Sequence, residues 1–477
     1  MNPHRVVSLL AAIVLVSFPI LAASPAPATN PGARDQPNFI IVLTDDLDAK
    51  SVEFMPRLKA LLTSRGTTFS NYFVTDSICC PSRASLLRGQ YPHNHQVLSN
   101  FQPGGGFQKF YTLEEEQSTI AAWLKAAGYR TVLLGKYLNG YPGSEKTSYV
   151  PPGWDEWYGL MYHHAAYYNY QLNENGRVVS YGHGPADYET DVLAAKTVDF
   201  IARNDANGKR PFFIYLAPSA PHLPATPAPR HAKEFPHATA PRTPSFNEGD
   251  LSDKPAWLRG APPLKRFAEI DSMYRSRLQS MLAVDEMIGK IVDALQANGT
   301  LEQTYIFFTS DNGFHLGEHR LDKGKGTPYE EDIRVPLIVR GPGVPAGRTL
   351  PYFVLNIDLA PTLADLAGAA PARFVDGRSL RPLLAGAPPS AGAWRNDFVV
   401  EYWSPSMRKA PAYEALRTSG YLYVEYVSGE RELYDLRADP YELKNLAGSA
   451  APGLVSELSK RLRFLEHCAG ESCRRPQ

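Results

Sequence analysis

Uninterrupted runs of apolar and β-branched residues mark the clearest predicted strands of this chain. They lie in Asn38–Asp46, Tyr129–Lys136, Pro211–His222 and Thr304–Gly313. A strand that is covered on both faces has this pattern, because neither side of it meets water. Helical spacing of apolar residues separates the runs, most clearly over Asp271–Leu295. Strands that alternate with helices predict an α/β fold with a large, mostly parallel, mixed central sheet flanked by helices.

The pattern changes after about Pro351. Tyr421–Leu436 reads as two alternating strands around Ser428–Glu430, which predicts an antiparallel hairpin. We therefore expect an α/β catalytic domain over residues 37–350 and a smaller α+β C-terminal subdomain with an antiparallel sheet over residues 351–477. Pro218–Pro263 is rich in proline and has few periodic positions, so we expect a long surface excursion there.

The first 36 residues differ in composition from the rest of the chain. Residues 1–23 predict an export signal peptide, with a positive charge in Met1–Arg5, an apolar run over Val6–Leu21 and small residues near Ala23. A membrane anchor is the alternative, but the run is shorter than the ~20 residues of a spanning helix. Residues 24–36, rich in Pro and Ala, predict a flexible lead-in. We expect a secreted, periplasmic or extracellular protein without stable membrane insertion.

The overall charge excludes one class of partner. The 477 residues carry 49 basic and 49 acidic side chains, which gives a formal net charge of zero. A nucleic-acid partner is not expected, because such partners select a basic surface. Any binding of anions must therefore come from a local arrangement of charges.

Polar side chains stand where four of the predicted strands end. They are Asp45, Asp46, Lys136, His222, Asp311 and Asn312. Ligands of open α/β sheets bind outside the carboxyl ends of the strands, so we expect these side chains to converge at one edge. The pairs at 45–46 and 311–312 offer only oxygen ligands, which favour Ca²⁺ or Mg²⁺ over Zn²⁺. The alternative is that both pairs are ordinary turn residues.

Two of the four cysteines, Cys79 and Cys80, are adjacent in the sequence. Pro81 suits the first position of a helix, which places Cys79 just before a helix N-terminus, where backbone N–H groups favour anions. Arg83 follows one turn later and could pair with the cysteine position or with a bound anion. A reactive residue, a cation and a metal together suit attack on a sulfate or phosphate ester. The alternatives are two small buried hydrophobic residues or a redox pair.

The other two cysteines, Cys468 and Cys473, lie near the C-terminus with a glycine between them. They could close a small disulfide loop. A metal site is the alternative, but one histidine and two cysteines make a weak zinc pattern.

The segment CCPSRASLLRG, which begins at Cys79, resembles the signature of the sulfatase family. Further segments resemble sulfatases in the family's order: PNFIIVLTDDLD, GYRTVLLGKYLN, FIYLAPSAPHLP, TSDNGFHLGEHRL, IRVPLIVRGPG, NIDLAPTLADLAG and ELYDLRADPYELKNL. The resemblance covers about Pro37–Leu446. It implies an alkaline-phosphatase-like fold and hydrolysis of sulfuric esters. It also implies that a formylglycine-generating enzyme converts the first cysteine of the signature to formylglycine (3-oxoalanine).

The resemblance also implies a role for each candidate residue. Cys79 would become the formylglycine, and one of its oxygens would bind Ca²⁺ together with the four oxygen-bearing side chains, Asp45, Asp46, Asp311 and Asn312. Arg83 would hold the formylglycine hydrate. The sulfate would be contacted by Lys136 and by Lys325, for which Lys323 is the less favoured alternative. His222 would protonate the leaving alcohol or bridge to the sulfate.

A hydrated aldehyde explains why the family needs these residues. It carries two hydroxyl groups on one carbon, and one of them attacks the sulfur. The other hydroxyl then loses its proton, the C–O bond to the sulfate breaks, and the aldehyde returns as sulfate leaves. The metal lowers the hydroxyl pKa, and the cationic side chains stabilise the charge of the transition state.

One position departs from the family pattern. Many sulfatases carry His two residues after the lysine of the Gly-Lys motif, and this chain has Leu138 there. Asn139 could replace the missing contact or could be a turn residue. The forms GKYLN, CCPSR, YPHNH and YYNYQLNENG most resemble sulfatases acting on the 6-sulfate of N-acetylglucosamine and their extracellular relatives. His93, His95 and His315 could line the substrate pocket, or could be packed or surface histidines.

We therefore expect a sulfatase acting on aryl sulfates or on sulfated aminosugars of glycosaminoglycan type. Two other hypotheses compete with it. A phosphatase or phosphonate monoester hydrolase of the same superfamily would act on a similar tetrahedral anion, although the Asp311-Asn312 pair favours a sulfatase. A non-catalytic binder of sulfated glycan is motivated by Leu138 and opposed by the other retained candidates.

Overall fold

The computed structural model describes residue 1 and residues 36–143, 147–162, 166–206, 210–403 and 410–475. The predicted signal peptide and nearly all of the lead-in lie outside the described residues. The strands are β1 Asn38–Thr44, β2 Thr67–Phe73, β3 Arg130–Gly135, β4 Glu156–Leu160, β5 Tyr170–Glu174, β6 Arg177–Tyr181, β7 Phe212–Ala217, β8 Thr304–Ser310, β9 Leu337–Arg340, β10 Arg348–Leu355, β11 Asp397–Tyr402, β12 Tyr413–Thr418, β13 Tyr421–Tyr426 and β14 Arg431–Asp435. The helices are α1 Pro56–Leu61, α2 Cys79–Arg88, α3 Pro92–His95, α4 Gly106–Thr112, α5 Ile120–Ala126, α6 Glu189–Ala206, α7 Ala256–Arg259, α8 Phe267–Ala297, α9 Glu330–Ile333, α10 Leu359–Ala367, α11 Arg381–Leu384, α12 Pro452–Leu465 and α13 Glu471–Arg474.

Ten strands form one mixed sheet in the order β10-β2-β9-β8-β1-β7-β3-β4-β5-β6. The central strands β8, β1, β7 and β3 are parallel, as their uninterrupted apolar runs predict. Thr44 pairs with Ser310 and Gly135 pairs with Ala217, so the carboxyl ends of these strands lie level. The predicted α/β class is confirmed. The four chain segments that carry the polar candidate residues leave these strands at the same edge of the sheet.

Helices cover both faces of the sheet. Successive side chains of a strand point to opposite faces, so alternate residues of β1 pack against different helices. Phe39 and Leu43 join an apolar cluster with residues of α2, α5 and α10. Ile40 and Val42 join a second cluster with residues of α1, α6 and α8. Burial on both faces is the physical reason that β1 reads as a continuous apolar run.

The strands β11, β12, β13 and β14 form a second, antiparallel sheet, and β13 and β14 are the predicted hairpin. Leu458 and Leu462 of α12 pack in the same apolar cluster as this sheet. The predicted domain boundary between residues 350 and 351 falls inside β10, which pairs with β2 of the large sheet. As an edge strand, β10 mixes buried and exposed positions, so its pattern does not separate it from the following segment.

The predicted surface excursion over Pro218–Pro263 lies only partly at the surface. Leu251 and Leu258 are buried in the cluster of the second sheet. Lys254 is also buried, and its ammonium donates to the Tyr434 hydroxyl at 3.1 Å. Isolated buried residues anchor this segment to the second sheet. Because they do not recur at a regular spacing, the sequence pattern did not reveal the partial burial.

Two further predictions concern the ends of the chain. Cys468 and Cys473 form the predicted disulfide. Among the residues that the structure describes, no helix combines the length and the apolar character needed to cross a membrane.

Candidate active site

Cys79 is the first residue of α2 and lies against the carboxyl edge of the large sheet. The prediction placed it one step earlier, with Pro81 opening the helix, but Pro81 is the third helical residue. Proline is tolerated there because the first N–H groups of a helix have no intrahelical partner. Cys79 and Cys80 are buried free thiols. The N–H of Cys80 donates to Asn100 Oδ1 at 2.8 Å, which ties the start of α2 to the neighbouring loop.

The predicted convergence of oxygen ligands is present at the sheet edge. Asp45 and Asp46 follow β1, and the N–H of Asp46 donates to Asp311 Oδ1, just after β8, at 3.0 Å. The Sγ of Cys79 lies 3.6 Å from Asp45 Oδ1. Ligand atoms of Asp45, Asp46, Cys79 and His222 all lie within 4.8 Å of one another. A carboxylate cluster therefore surrounds the cysteine that the family signature singles out.

Arg83 is buried within this cluster. Its Nε donates to Asp311 Oδ2 at 2.8 Å, and its Nη1 donates to the Lys136 carbonyl at 2.9 Å. Its Nη2 lies 3.8 Å from Asp45 Oδ2 and has no hydrogen-bond partner in the part of the chain that the structure describes. Two bonds thus fix the guanidinium, and one donor stays directed into the site.

Two lysines complete the charge of the site. Lys136 Nζ donates to Asp45 Oδ2 at 2.6 Å. Lys325 Nζ donates to Cys79 Sγ at 2.6 Å and to Asp46 Oδ1. Both lysines are buried, whereas Lys323 is exposed, so Lys325 is the lysine that faces the site.

The charges perturb one another strongly. Burial on its own would raise the pKa of Asp45, but Lys136, His222 and Arg83 outweigh it and hold that pKa well below its usual range. Burial raises the pKa of the Cys79 thiol to about 11, so the unmodified side chain is neutral near pH 7. Three cations nearly balance three carboxylates, so a bound divalent cation would make the site positive, as an anionic ester requires.

His222 lies at the rim, with 22% of its side chain exposed. Its Nδ1 donates to the Leu223 carbonyl at 2.7 Å, and its Nε2 lies 3.7 Å from Asp46 Oδ2. The carbonyl can only accept, so the bond at Nδ1 leaves Nε2 facing the site.

The remaining candidates have protein contacts of their own. His95 is fully buried, His93 Nδ1 lies 2.9 Å from Glu401 Oε2, and His315 Nδ1 lies 3.0 Å from both carboxylate oxygens of Asp332. These contacts fit the packed alternative, and substrate contacts of the three histidines stay predictions.

Leu138 and Asn139 are both buried just after Lys136, and the Asn139 carbonyl accepts the N–H of Phe107 at 2.8 Å. A contact between Asn139 and substrate stays a prediction.

Sequence reasoning missed Arg277 of α8. Its Nη2 donates to the Asp46 carbonyl at 2.5 Å, and its Nη1 donates to the Pro221 carbonyl at 3.3 Å. It therefore holds the backbone of one ligand segment and of the loop before His222. A signal was present, because an arginine stands on the apolar face of the helix between Tyr274 and Leu278.

This fold and this site define a hydrolase of tetrahedral anionic esters. Carboxyl ends of parallel strands present the ligands, and cations surround a residue at a helix start. The chain belongs to the sulfatase family, since the family model described as "Sulfatase" matches residues 37–369. A second model, "N-sulphoglucosamine sulphohydrolase, C-terminal", matches residues 317–467. The protein is therefore a sulfuric ester hydrolase, as predicted.

Several characterised proteins are similar over most of the chain. The N-acetylglucosamine-6-sulfatase of Homo sapiens is 38% identical over 483 residues, which cover 92% of this chain and 86% of the relative. The arylsulfatase of Chlamydomonas reinhardtii is 35% identical over 496 residues, which cover 92% of this chain and 76% of the relative. Among solved structures, BT4656 in complex with its substrate D-glucosamine-2-N,6-O-disulfate has a TM-score of 0.75 at 26% identity, covering 90% of this chain and 97% of that one.

Proposed function

We propose that the protein releases the 6-sulfate of N-acetylglucosamine residues, with Cys79 matured to formylglycine as the nucleophile. The observation that carries this proposal is the position of Cys79 Sγ, 2.6 Å from Lys325 Nζ and 3.6 Å from Asp45 Oδ1. The substrate class is supported by the name of the human relative and by the disulfated glucosamine bound to BT4656. Aryl sulfates are the smaller substrates that we expect the same site to accept, as the name of the algal relative suggests.

Asp45, Asp46, Asp311 and Asn312 would hold a divalent cation. Their side chains are buried and offer hard oxygen donors, which fit Ca²⁺ and, as a second choice, Mg²⁺. When bound, the cation would neutralise sulfate oxygens and lower the pKa of a neighbouring hydroxyl.

The protein's own side chains divide the remaining work. The formylglycine hydrate would supply the attacking hydroxyl where Cys79 Sγ now lies. Arg83 would orient that hydroxyl through its unpaired Nη2, because Asp311 fixes the rest of the guanidinium. Lys136 and Lys325 would stabilise the negative charge that develops on the sulfate. His222, at the rim, would act in its doubly protonated form, keeping the Nδ1 proton on the Leu223 carbonyl and donating the Nε2 proton to the leaving alcohol.

Maturation and location complete the proposal. Cys79 is only 1% exposed in the folded chain, so a formylglycine-generating enzyme would have to act before α2 packs. Export by the predicted signal peptide would place the enzyme in the periplasm or outside the cell. The "extracellular sulfatase SULF-1 homolog" of Drosophila melanogaster, 37% identical over 406 residues, supports that location.

Co-expression with a formylglycine-generating enzyme tests the proposal. Peptide mass spectrometry should find formylglycine at Cys79, and sulfate release should be fastest from N-acetylglucosamine-6-sulfate in a panel of sulfated mono- and disaccharides. Cys79→Ala is the inactive control, and a matched aryl sulfate and aryl phosphate pair measures the preference for sulfate. Unmodified Cys79 in an active preparation, or faster hydrolysis of the aryl phosphate, would contradict the proposal.

A further inference from the structure

A second buried group of metal-ligating side chains lies away from the active site. It consists of His319, in the loop after β8, Glu331 of α9 and Glu442, after β14, and we call it the interface cluster. One ligand atom from each residue lies within 4.8 Å of the other two. His319 and Glu442 are fully buried. The group joins the sulfatase domain to the C-terminal subdomain.

The orientation of His319 is set by a carboxylate. Its Nδ1 lies 2.6 Å from Glu248 Oε2. A carboxylate can only accept, so Nδ1 carries the proton and Nε2 presents its lone pair to the interface cluster. Nε2 is buried and has no hydrogen-bond partner among the described residues. A carboxylate behind the imidazole is the arrangement that orients metal-binding histidines.

Each glutamate also has one carboxylate oxygen that is bonded and one that is not. Glu331 Oε1 accepts from Ser245 Oγ at 3.4 Å, and Glu442 Oε2 accepts from the N–H of Glu330 at 3.2 Å. The other oxygens, Glu331 Oε2 and Glu442 Oε1, are buried without a partner in the described ranges. Three side chains whose ligand atoms approach within 4.8 Å of one another therefore each carry a buried acceptor atom to which no described residue donates. Such an arrangement is costly unless a cation or protons fill it.

Neighbouring cations are already engaged elsewhere. Lys254 lies 3.5 Å from Glu248, and its ammonium donates to the backbone carbonyl of Glu442 at 2.5 Å. Arg417 and Arg334 donate to Glu330 at 2.6 Å each. Negative charge in the interface cluster thus lacks a dedicated counter-ion. Consistently, burial first and nearby carboxylates second raise the pKa of Glu331 to about 8 and that of Glu442 well above its usual range.

We propose that His319, Glu331 and Glu442 bind a structural divalent cation of the Zn²⁺ class, which clamps the two parts of the protein together. One imidazole nitrogen and two carboxylate oxygens form a donor set that suits Zn²⁺. A separation of up to 4.8 Å closes onto one ion, at roughly 2.1 Å from each ligand, by small rotations of the glutamates. A cavity of about 330 Å³, whose lining includes Glu331 and Tyr441, lies beside the interface cluster. This inference is independent of the proposed catalytic function.

Metal analysis of the full chain tests the inference. The protein is treated with a chelator, saturated with Ca²⁺ so that the active-site ligands are engaged, and then given one equivalent of Zn²⁺. We expect one tightly held Zn²⁺ per chain by mass spectrometry of metals, and a rise in Tm of about 3 °C or more. Glu442→Gln should abolish both effects, whereas Glu269→Gln, an exposed glutamate, should keep them.

The wild-type protein decides the matter even if a variant folds poorly. No retained Zn²⁺, or no change in Tm, would overturn the inference. Retention of Zn²⁺ by Glu442→Gln would overturn it as well. As a check on folding, the metal-free Tm of Glu442→Gln should equal or exceed that of the metal-free wild type, because the amide has nearly the shape of the carboxyl and, unlike it, cannot become charged in this buried position.

Discussion

Two buried groups of carboxylates in this protein carry opposite electrostatic arrangements. In the active site, Asp45 and Asp46 face buried lysines and Arg83, and these cations hold both carboxyl pKa values below their usual range despite burial. In the interface cluster, Glu331 and Glu442 face no free cation within the described chain, and their pKa values rise. Asp45 and Asp46 therefore keep their charge near pH 7, whereas burial and the neighbouring Asp45 raise the pKa of Asp311, the third carboxyl of the site, above its usual value. In the second group the raised pKa values favour the protonated carboxyls near pH 7, and the proposed metal would stabilise the charged form instead.

The largest effect that we expect comes from the residue at the centre of the active site. Cys79→Ala should lower kcat/KM by roughly 10³-fold or more, because the nucleophile is removed. Cys80→Ser is the matched control and should keep most of the activity, because Cys80 packs in the core with Ala84 and Leu87. The reverse pattern in sulfate-release assays would show that the neighbouring cysteine is the modified one.

Removal of metal by a chelator, followed by addition of one ion at a time, distinguishes the active site from the interface cluster. Removal of metal should lower kcat by at least about 100-fold, since a bound cation contributes several kcal/mol to stabilising transition-state charge. Ca²⁺ alone should restore sulfate release, and Zn²⁺ alone should restore the thermal stability attributed to the interface cluster. If Ca²⁺ alone, or Zn²⁺ alone, restored both sulfate release and thermal stability, the two groups would not differ in the metal that they bind.

A counter-cation can be deleted without substituting any of the proposed metal ligands. Lys325→Met should lower kcat/KM by about 100-fold, because a buried positive charge next to the sulfate position is lost. Lys323→Met, two residues away and exposed, serves as the control and should change kcat/KM less than twofold. Equal losses in the two variants would indicate that the loop, and not the charge at Lys325, matters.

Glu401 stands between the two groups of carboxylates, because the side chain that it pairs with is a histidine, which is a cation only when protonated. Burial alone would lower the pKa of His93, but the bond to Glu401 outweighs burial and raises that pKa to about 9. The stabilisation is fully present below the unfolded pKa of about 6.5 and is lost as the pH rises through 9. Urea unfolding should show a loss of about 1–2 kcal/mol between pH 6.5 and 10. His93→Gln should flatten that profile, and an unchanged profile would contradict the pairing.

The sequence predicted that the candidate site residues converge at one sheet edge, but it gave little indication of what surrounds them. Asp45, Lys136, His222 and Asp311 each follow a continuous apolar run, and the level carboxyl ends of parallel strands bring such residues together. The boundary predicted near residue 350 stays a prediction, and that position lies inside β10, an edge strand whose partial burial leaves little pattern in the sequence. The role of Arg277 was missed because a single charged residue on a long apolar helix face does not reveal which backbone it contacts.

Local pattern and spacing by themselves determined the class of fold and the sheet edge at which the polar residues meet, and the resemblance to the sulfatase signature singled out Cys79. They could do so because each strand carries its own polar terminus, and a parallel sheet aligns those termini. Only the tertiary structure decided which lysine faces the site, that Cys79 begins α2, and that the interface cluster exists. His319, Glu331 and Glu442 lie in a loop after β8, in α9 and after β14, and no short-range pattern in the chain encodes contacts between such separate segments.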